Sequence, residues 1–156
     1  MKKLLFLATA LLLSANIMAQ KLAKENVRFV FDDPSAGSEA TFGTMSIVLS
    51  GAESPTVYML EDYPQIRIPA DNERAFRIYQ LSQDGNKRGL QVATYSYPVI
   101  DQEYDFMFLP AIALKSTPTD DGKYELPLWE LAPGNYAIVF PATLTRTAIV
   151  HTFTLK

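Results

Sequence analysis

The chain has 156 residues, with 14 basic against 17 acidic side chains, no cysteine, one histidine, one tryptophan, ten prolines and eight tyrosines. That length suits one domain. Without cysteine there are no disulfides, zinc–thiolate sites, thiol catalysis or lipid-modified cysteine, and a net charge of −3 lacks the clustered cations by which proteins hold nucleic acid.

Residues 1–19 read as a cleavable secretory signal peptide. Lys2 and Lys3 form a positive start, Leu4 to Leu13 an apolar stretch, and Ala19 a small residue ahead of Gln20. A membrane-spanning helix needs roughly 20 apolar residues, and Ser14 and Asn16 interrupt this stretch well before that. Removing the leader takes away two lysines, so residues 20–156 carry 14 − 2 = 12 basic against 17 acidic groups, a charge of −5. The remaining 156 − 19 = 137 residues form the single expected domain and are enough to bury a core without disulfides. No later segment is apolar for long enough to span a bilayer, which places the product in the periplasm, at the cell envelope or outside the cell. The ending Met18-Ala19-Gln20 resembles signal-peptide ends common in Gram-negative bacteria of the Bacteroides type.

Beyond the leader no 3.6-residue apolar stripe lasts for three turns, whereas short β-branched and aromatic runs punctuated by Pro, Gly, Asp and Asn recur throughout. The expected strands are Asn26 to Phe31, Gly43 to Ser50, Thr56 to Glu61, Gln65 to Ile68, Arg74 to Gln83, Leu90 to Ser96, Tyr104 to Leu109, Ile112 to Lys115, Tyr124 to Leu128, Asn135 to Phe140 and Thr147 to Leu155. Alternation assigns faces. Met45, Ile47 and Leu49 point one way and Thr44, Ser46 and Ser50 the other, which describes a strand with one wet face. Tyr136 to Phe140 is apolar on both faces and belongs in the centre of a sheet.

Asp84-Gly85-Asn86 and Asp121-Gly122 tolerate positive φ and predict two hairpins. Prolines 55, 64, 69, 98, 110, 118, 127, 133 and 141 sit at run edges, where a missing N–H breaks no ladder. The expected fold is all-β, two antiparallel sheets packed face to face as a sandwich.

Leu131-Ala132-Pro133-Gly134-Asn135-Tyr136 resembles the tyrosine corner of immunoglobulin-like and fibronectin-type domains. The resemblance implies an immunoglobulin-like sandwich in which Leu131, Pro133, Gly134 and Tyr136 are structural: the tyrosine ring enters the core and its hydroxyl caps backbone upstream. The stretch Phe76 to Phe140 is also similar to small exported bacterial proteins of unknown function. The likeness rests on Phe76-Arg77-Ile78-Tyr79-Gln80-Leu81, a basic turn ending in Arg88, Tyr124-Glu125-Leu126 and the Pro-Gly-x-Tyr turn, and it breaks at Asp101 to Asp105. It implies no catalytic residues. Leu131 to Lys156 resembles, in addition, a secretion-sorting tail.

Catalytic signatures are absent from the sequence. A hydrolase triad would have to be built on His151, which shares its face with Ile149, Phe153 and Leu155 and reads as a structural residue, and no Gly-x-Ser-x-Gly elbow occurs. Asp101, Glu103 and Asp105 offer hard oxygen ligands suited to calcium, but alternate residues on a strand lie about 7 Å apart and no glycine turns the segment, so it reads as a solvated loop. Asp32-Asp33-Pro34 to Ser38 also reads as a loop. Asn86-Lys87-Arg88 reads as an exposed basic hairpin tip facing solvent or an acidic partner. Tyr95, Tyr97 and Trp129 are the candidate glycan contacts, since sugar C–H faces pack on exposed aromatic rings.

These features predict a non-catalytic exported sandwich with no cofactor and no metal, acting on an envelope protein or glycan. The alternatives are a carbohydrate-binding accessory module and a small hydrolase using paired carboxylates.

Overall fold

The computed structural model describes residues 22–26, 28–36, 40–69, 75–98, 105–140 and 149–156, so the expected leader lies outside the described residues. Among them the chain forms twelve strands: β1 (Ala23–Asn26), β2 (Arg28–Ala36), β3 (Ala40–Ser50), β4 (Val57–Tyr58), β5 (Gln65–Pro69), β6 (Arg77–Asp84), β7 (Lys87–Pro98), β8 (Asp105–Phe108), β9 (Thr117–Pro118), β10 (Lys123–Pro127), β11 (Gly134–Val139) and β12 (Ile149–Leu155). Two single 3-10 turns, Leu60–Asp62 and Leu128–Glu130, complete the regular structure, and no α-helix occurs among the described residues.

The strands make two sheets. The larger runs β1-β12-β11-β6-β7-β3-β2, with β4 added beside β12 and β8 beside β7; the smaller runs β5-β10-β9. All pairings are antiparallel except the short β4–β12 contact. Strand β6 changes partner along its length: Arg77 to Leu81 lie against β11, and Ser82 to Asp84 against β7. This hand-over lets the larger sheet curl into a half-barrel, so that β3 and β7 fold back over β11 and β12.

Strand β11 lies between two cores because its apolar run has no wet face. Tyr136 and Ile138 join Ile66, Ile68, Leu126, Leu128 and Phe153 under the small sheet. Ala137 and Val139 point the other way, into a second core with Met45, Ile47, Tyr79, Val92 and Val150. Full burial of each large aliphatic side chain stabilises the fold by about 1.5–3 kcal/mol. Strand β3 alternates as expected, with Met45, Ile47 and Leu49 buried and Thr44 and Ser46 half-buried.

Both hairpins turn on glycines in left-handed conformation, Gly85 at φ 57° and Gly122 at φ 73°. Asp84 pairs with Lys87, leaving Gly85-Asn86 as a two-residue loop whose first position needs positive φ. Gly89 has a different reason to be glycine. It sits between Val48 and Ser82, and a Cβ there would stand 2.6 Å from the Ile47 carbonyl oxygen.

A bulge in β7 changes which residues face inward. Met45 pairs with Ala93 and Ser46 with Gln91, which leaves Val92 as the extra residue, and Val92 and Ala93 are both buried. Even-numbered Arg88, Leu90 and Val92 therefore face the core before the bulge, and odd-numbered Ala93 and Tyr95 after it.

Several boundaries depart from the sequence reading. Strand β2 runs through Asp33-Pro34 to Ala36 where a loop was expected; its register shifts between Asp32 and Ser35, and that irregularity on an edge strand accommodates a residue with no N–H. Ile112 to Lys115 forms no ladder. The segment lies beside β6 where β6 and β7 diverge, with the Ile112 N–H donating to the Ile78 carbonyl at 2.9 Å. Strands β1 and β9 were not expected, being short and polar.

Candidate functional site

The small sheet positions an exposed strip. In the β5–β10 ladder Ile68 pairs with Tyr124, Arg67 with Glu125, Ile66 with Leu126 and Gln65 with Pro127. Ile66, Ile68 and Leu126 are buried against the central strands, so Gln65, Arg67, Glu125 and Pro127 point the opposite way, Arg67 exposed and the other three half-buried. The ladder gains one more bond beyond the strands, the Leu128 N–H donating to the Pro64 carbonyl at 2.9 Å. The next position in the same register sets Tyr63 opposite Trp129. Their rings meet edge to face with centroids 6.5 Å apart and planes at 64°.

Each ring is held outward by the turn that carries it. The Leu60–Asp62 turn is anchored by Leu60, which packs on the first core and donates its N–H to the Lys156 carbonyl at 2.8 Å. The Tyr63 N–H closes the turn on the Leu60 carbonyl at 3.1 Å, and Tyr63 adopts φ 49°, ψ 59°. It is the only non-glycine residue with positive φ among the described residues. That conformation costs an L-residue about 1–2 kcal/mol. Tyr63 is 70% exposed, so burial of its own ring does not offset the cost.

Trp129 lies in the second turn between two buried leucines, Leu128 and Leu131, and is 36% exposed. Glu61 and Asp62 precede Tyr63, Glu130 follows Trp129, and all three carboxylates are exposed. Farther along the strip, Arg67 Nε meets Glu125 Oε2 at 3.4 Å. The surface therefore offers two aromatic rings, an amide, a paired cation and several hydroxyl-accepting carboxylates.

Of the sequence-predicted glycan contacts, only Trp129 is on this surface. Tyr95 is 4% exposed and packs in the second core, because the β7 bulge turns it inward, so it offers no ring to a ligand. The backbone of Tyr97 pairs with Thr41 in β7, away from the small sheet. Tyr63 was missed. Only the β5–β10 register brings it beside Trp129, and that register is not written in the local sequence.

The Leu131 to Tyr136 turn sets its two ends in the core and its bend at the surface. Leu131 is buried, Gly134 passes close to Gln80, and Tyr136 stacks on Phe153 with centroids 5.2 Å apart. The Tyr136 hydroxyl donates to the Ala132 carbonyl at 2.7 Å, and burial raises its pKa. Pro133 is exposed at the bend.

The basic hairpin tip needs correction. Asn86 and Lys87 are exposed, but Arg88 is 1% exposed and faces inward. Its Nε donates to the Gly51 carbonyl at 2.9 Å, and its Nη2 to the Ser50 carbonyl at 2.8 Å and to Glu25 Oε1 at 2.7 Å. Glu25 Oε2 also accepts from the Thr152 hydroxyl. From there a buried chain of hydrogen bonds runs through Ser54, Thr154 and Asn135 to the Ala52 carbonyl. These polar groups tie β1, β11 and β12 to the segment after β3.

His151 lies on the face of β12 that carries Phe153 and meets the Phe140 ring edge-on at 5.8 Å. Burial first, and Lys24 opposite it on β1 second, lower its pKa below the ordinary 6.5. Asp101 and Glu103 lie outside the described residues, and the backbone of Asp105 pairs with Ser96. Among the described residues no group of three or more His, Cys, Asp or Glu side chains is placed to hold a metal ion, and no helix is long and apolar enough to cross a membrane. Compared with known proteins, the chain matches no family model, no curated protein and no solved structure.

Proposed function

We propose that the protein is an exported, non-catalytic sandwich of immunoglobulin-like kind that holds another envelope component, a protein or a glycan, on the outer strip of its small sheet. The observation that carries this reading is the Tyr63–Trp129 pair. A bulky side chain kept in a left-handed conformation, with its ring in solvent, is strain that core packing of that ring does not explain, and such strain concentrates at binding sites. The bond from Tyr136 to the Ala132 carbonyl supports the immunoglobulin-like comparison. The leader at residues 1–19 supports export.

A photoreactive phenylalanine analogue placed at position 63 tests the reading, with position 84 at the β6–β7 hairpin tip as the control. In intact cells, position 63 is expected to capture one defined envelope component that position 84 does not, and Trp129→Ala is expected to abolish the capture. No adduct at position 63, or the same adducts from both positions, would remove the proposal.

A further inference from the structure

We infer that the strip takes a neutral glycan chain lying along the β5–β10 pair, an inference that rests on the binding role proposed above and names its ligand. A pyranose ring has two kinds of surface, flat patches of C–H groups and a rim of hydroxyls. The strip presents a matching partner for each. Tyr63 and Trp129 supply aromatic faces at one end, against which C–H groups pack. Gln65 supplies an amide with both donors and an acceptor, and the Arg67–Glu125 pair adds guanidinium donors and carboxylate acceptors. From residue 63 to residue 67 is four steps of about 3.4 Å, or roughly 14 Å, enough for more than one sugar.

Charge narrows the class. Glu61, Asp62 and Glu130 border the rings, and the cation at Arg67 already faces Glu125. Uronic acids, phosphorylated polymers and nucleic acid would meet unpaired negative charge, while neutral hydroxyls find acceptors in the same carboxylates. A quaternary ammonium is the other ligand that aromatic rings with carboxylates attract, but it is held by a cage. Here two rings form an open corner, and no third ring joins them among the described residues. The rings are also positioned before any ligand arrives, one by the left-handed turn and the other by its two buried leucine neighbours, which lowers the ordering cost of binding.

The test is an array of neutral and acidic oligosaccharides probed with the purified protein and with Tyr63→Ala, Trp129→Ala and Arg67→Ala, followed by calorimetry on whichever oligosaccharide is retained. All three positions are exposed, and circular dichroism verifies that each variant folds. The expected result is retention of a neutral oligosaccharide whose affinity falls about tenfold or more in both aromatic variants and by less in Arg67→Ala. Retention of acidic glycans only, equal binding by the aromatic variants, or displacement of the oligosaccharide by tetramethylammonium would overturn the inference. An empty array with a defined protein adduct still formed at position 63 overturns the glycan inference and leaves the binding role standing. An empty array together with no adduct removes both.

Discussion

The carboxylate of Glu25 stands 2.7 Å from Nη2 of Arg88, whose side chain is wholly enclosed, so the first described strand closes an ion pair with the inward face of the β6–β7 hairpin. Removing one member of such a pair leaves a buried charge without its counter-ion, which typically costs 3–5 kcal/mol. Glu25 keeps some exposure, which puts Glu25→Ala at the low end, about 3 kcal/mol in urea unfolding. The combined change Glu25→Leu with Arg88→Met should recover most of that. A loss below about 1 kcal/mol in Glu25→Ala would show that water replaces the carboxylate.

Tyr136→Phe keeps the ring stacked on Phe153 and deletes only the bond to the Ala132 carbonyl. Ala132 is exposed, so its carbonyl can turn to water, and the expected loss is about 1 kcal/mol. An unfolding midpoint equal to the parent's would mean that the hydroxyl does not hold the turn.

At Tyr63 the direction reverses. Glycine adopts a left-handed conformation freely, and the relief of about 1–2 kcal/mol exceeds the flexibility that glycine adds to the unfolded chain. Tyr63→Gly is expected to melt no lower than the parent, while Tyr63→Ala, which keeps a Cβ, gains nothing comparable. A clear drop in melting temperature for Tyr63→Gly would show that the exposed ring itself stabilises the turn.

Gly89→Ala brings a Cβ within 2.6 Å of the Ile47 carbonyl oxygen, backbone that cannot swing aside as a side chain does. The ladder on one side must open, and overpacking of this kind costs about 1–3 kcal/mol. Gly85→Ala, where nothing lies within 4 Å of the new methyl group, isolates the conformational penalty for comparison.

His151 makes stability depend on pH. Its folded pKa lies below 6.5, so between that value and 6.5 the unfolded chain binds more protons than the folded one. Its contribution is whole above pH 6.5 and declines as pH falls through 6.5 toward the folded pKa. His151→Gln should flatten the fall in stability over that window, as read from urea midpoints at a series of pH values. Identical slopes for the two proteins would assign the acid sensitivity to other groups.

Much of this architecture could be read from local patterns. Met45, Ile47 and Leu49 against Thr44 and Ser46 gave a one-sided strand, and the unbroken apolar run from Tyr136 to Val139 gave a central one, because burial on each face is visible in a period of two. Tyr95 faces inward because of the bulge at Val92, which shifts inward facing from even to odd positions and has no signature in the residues themselves. Arg88 precedes the bulge on the inward face of Leu90 and Val92, and reads as exposed only because it is a cation beside a turn. Strand β1 was illegible because Ala-Lys-Glu-Asn has no alternation; its place is set by partners such as Thr152, 127 positions away from Glu25. The Tyr63–Trp129 pair was illegible on the same ground, since its two halves meet only through the pairing of β5 with β10.

Strand β12 sits between β1 and β11, and through it the earliest described residues are joined to the last. Glu25 and its partner Thr152 are synthesised 127 positions apart. Glu25 and Thr152 can meet, and Tyr136 and Ala137 gain β12 as their second neighbour beside β6, only once Ile149 to Leu155 have been made. In that order of synthesis the Arg88 guanidinium gains its fixed counter-ion only when β12 has given β1 a place in the sheet.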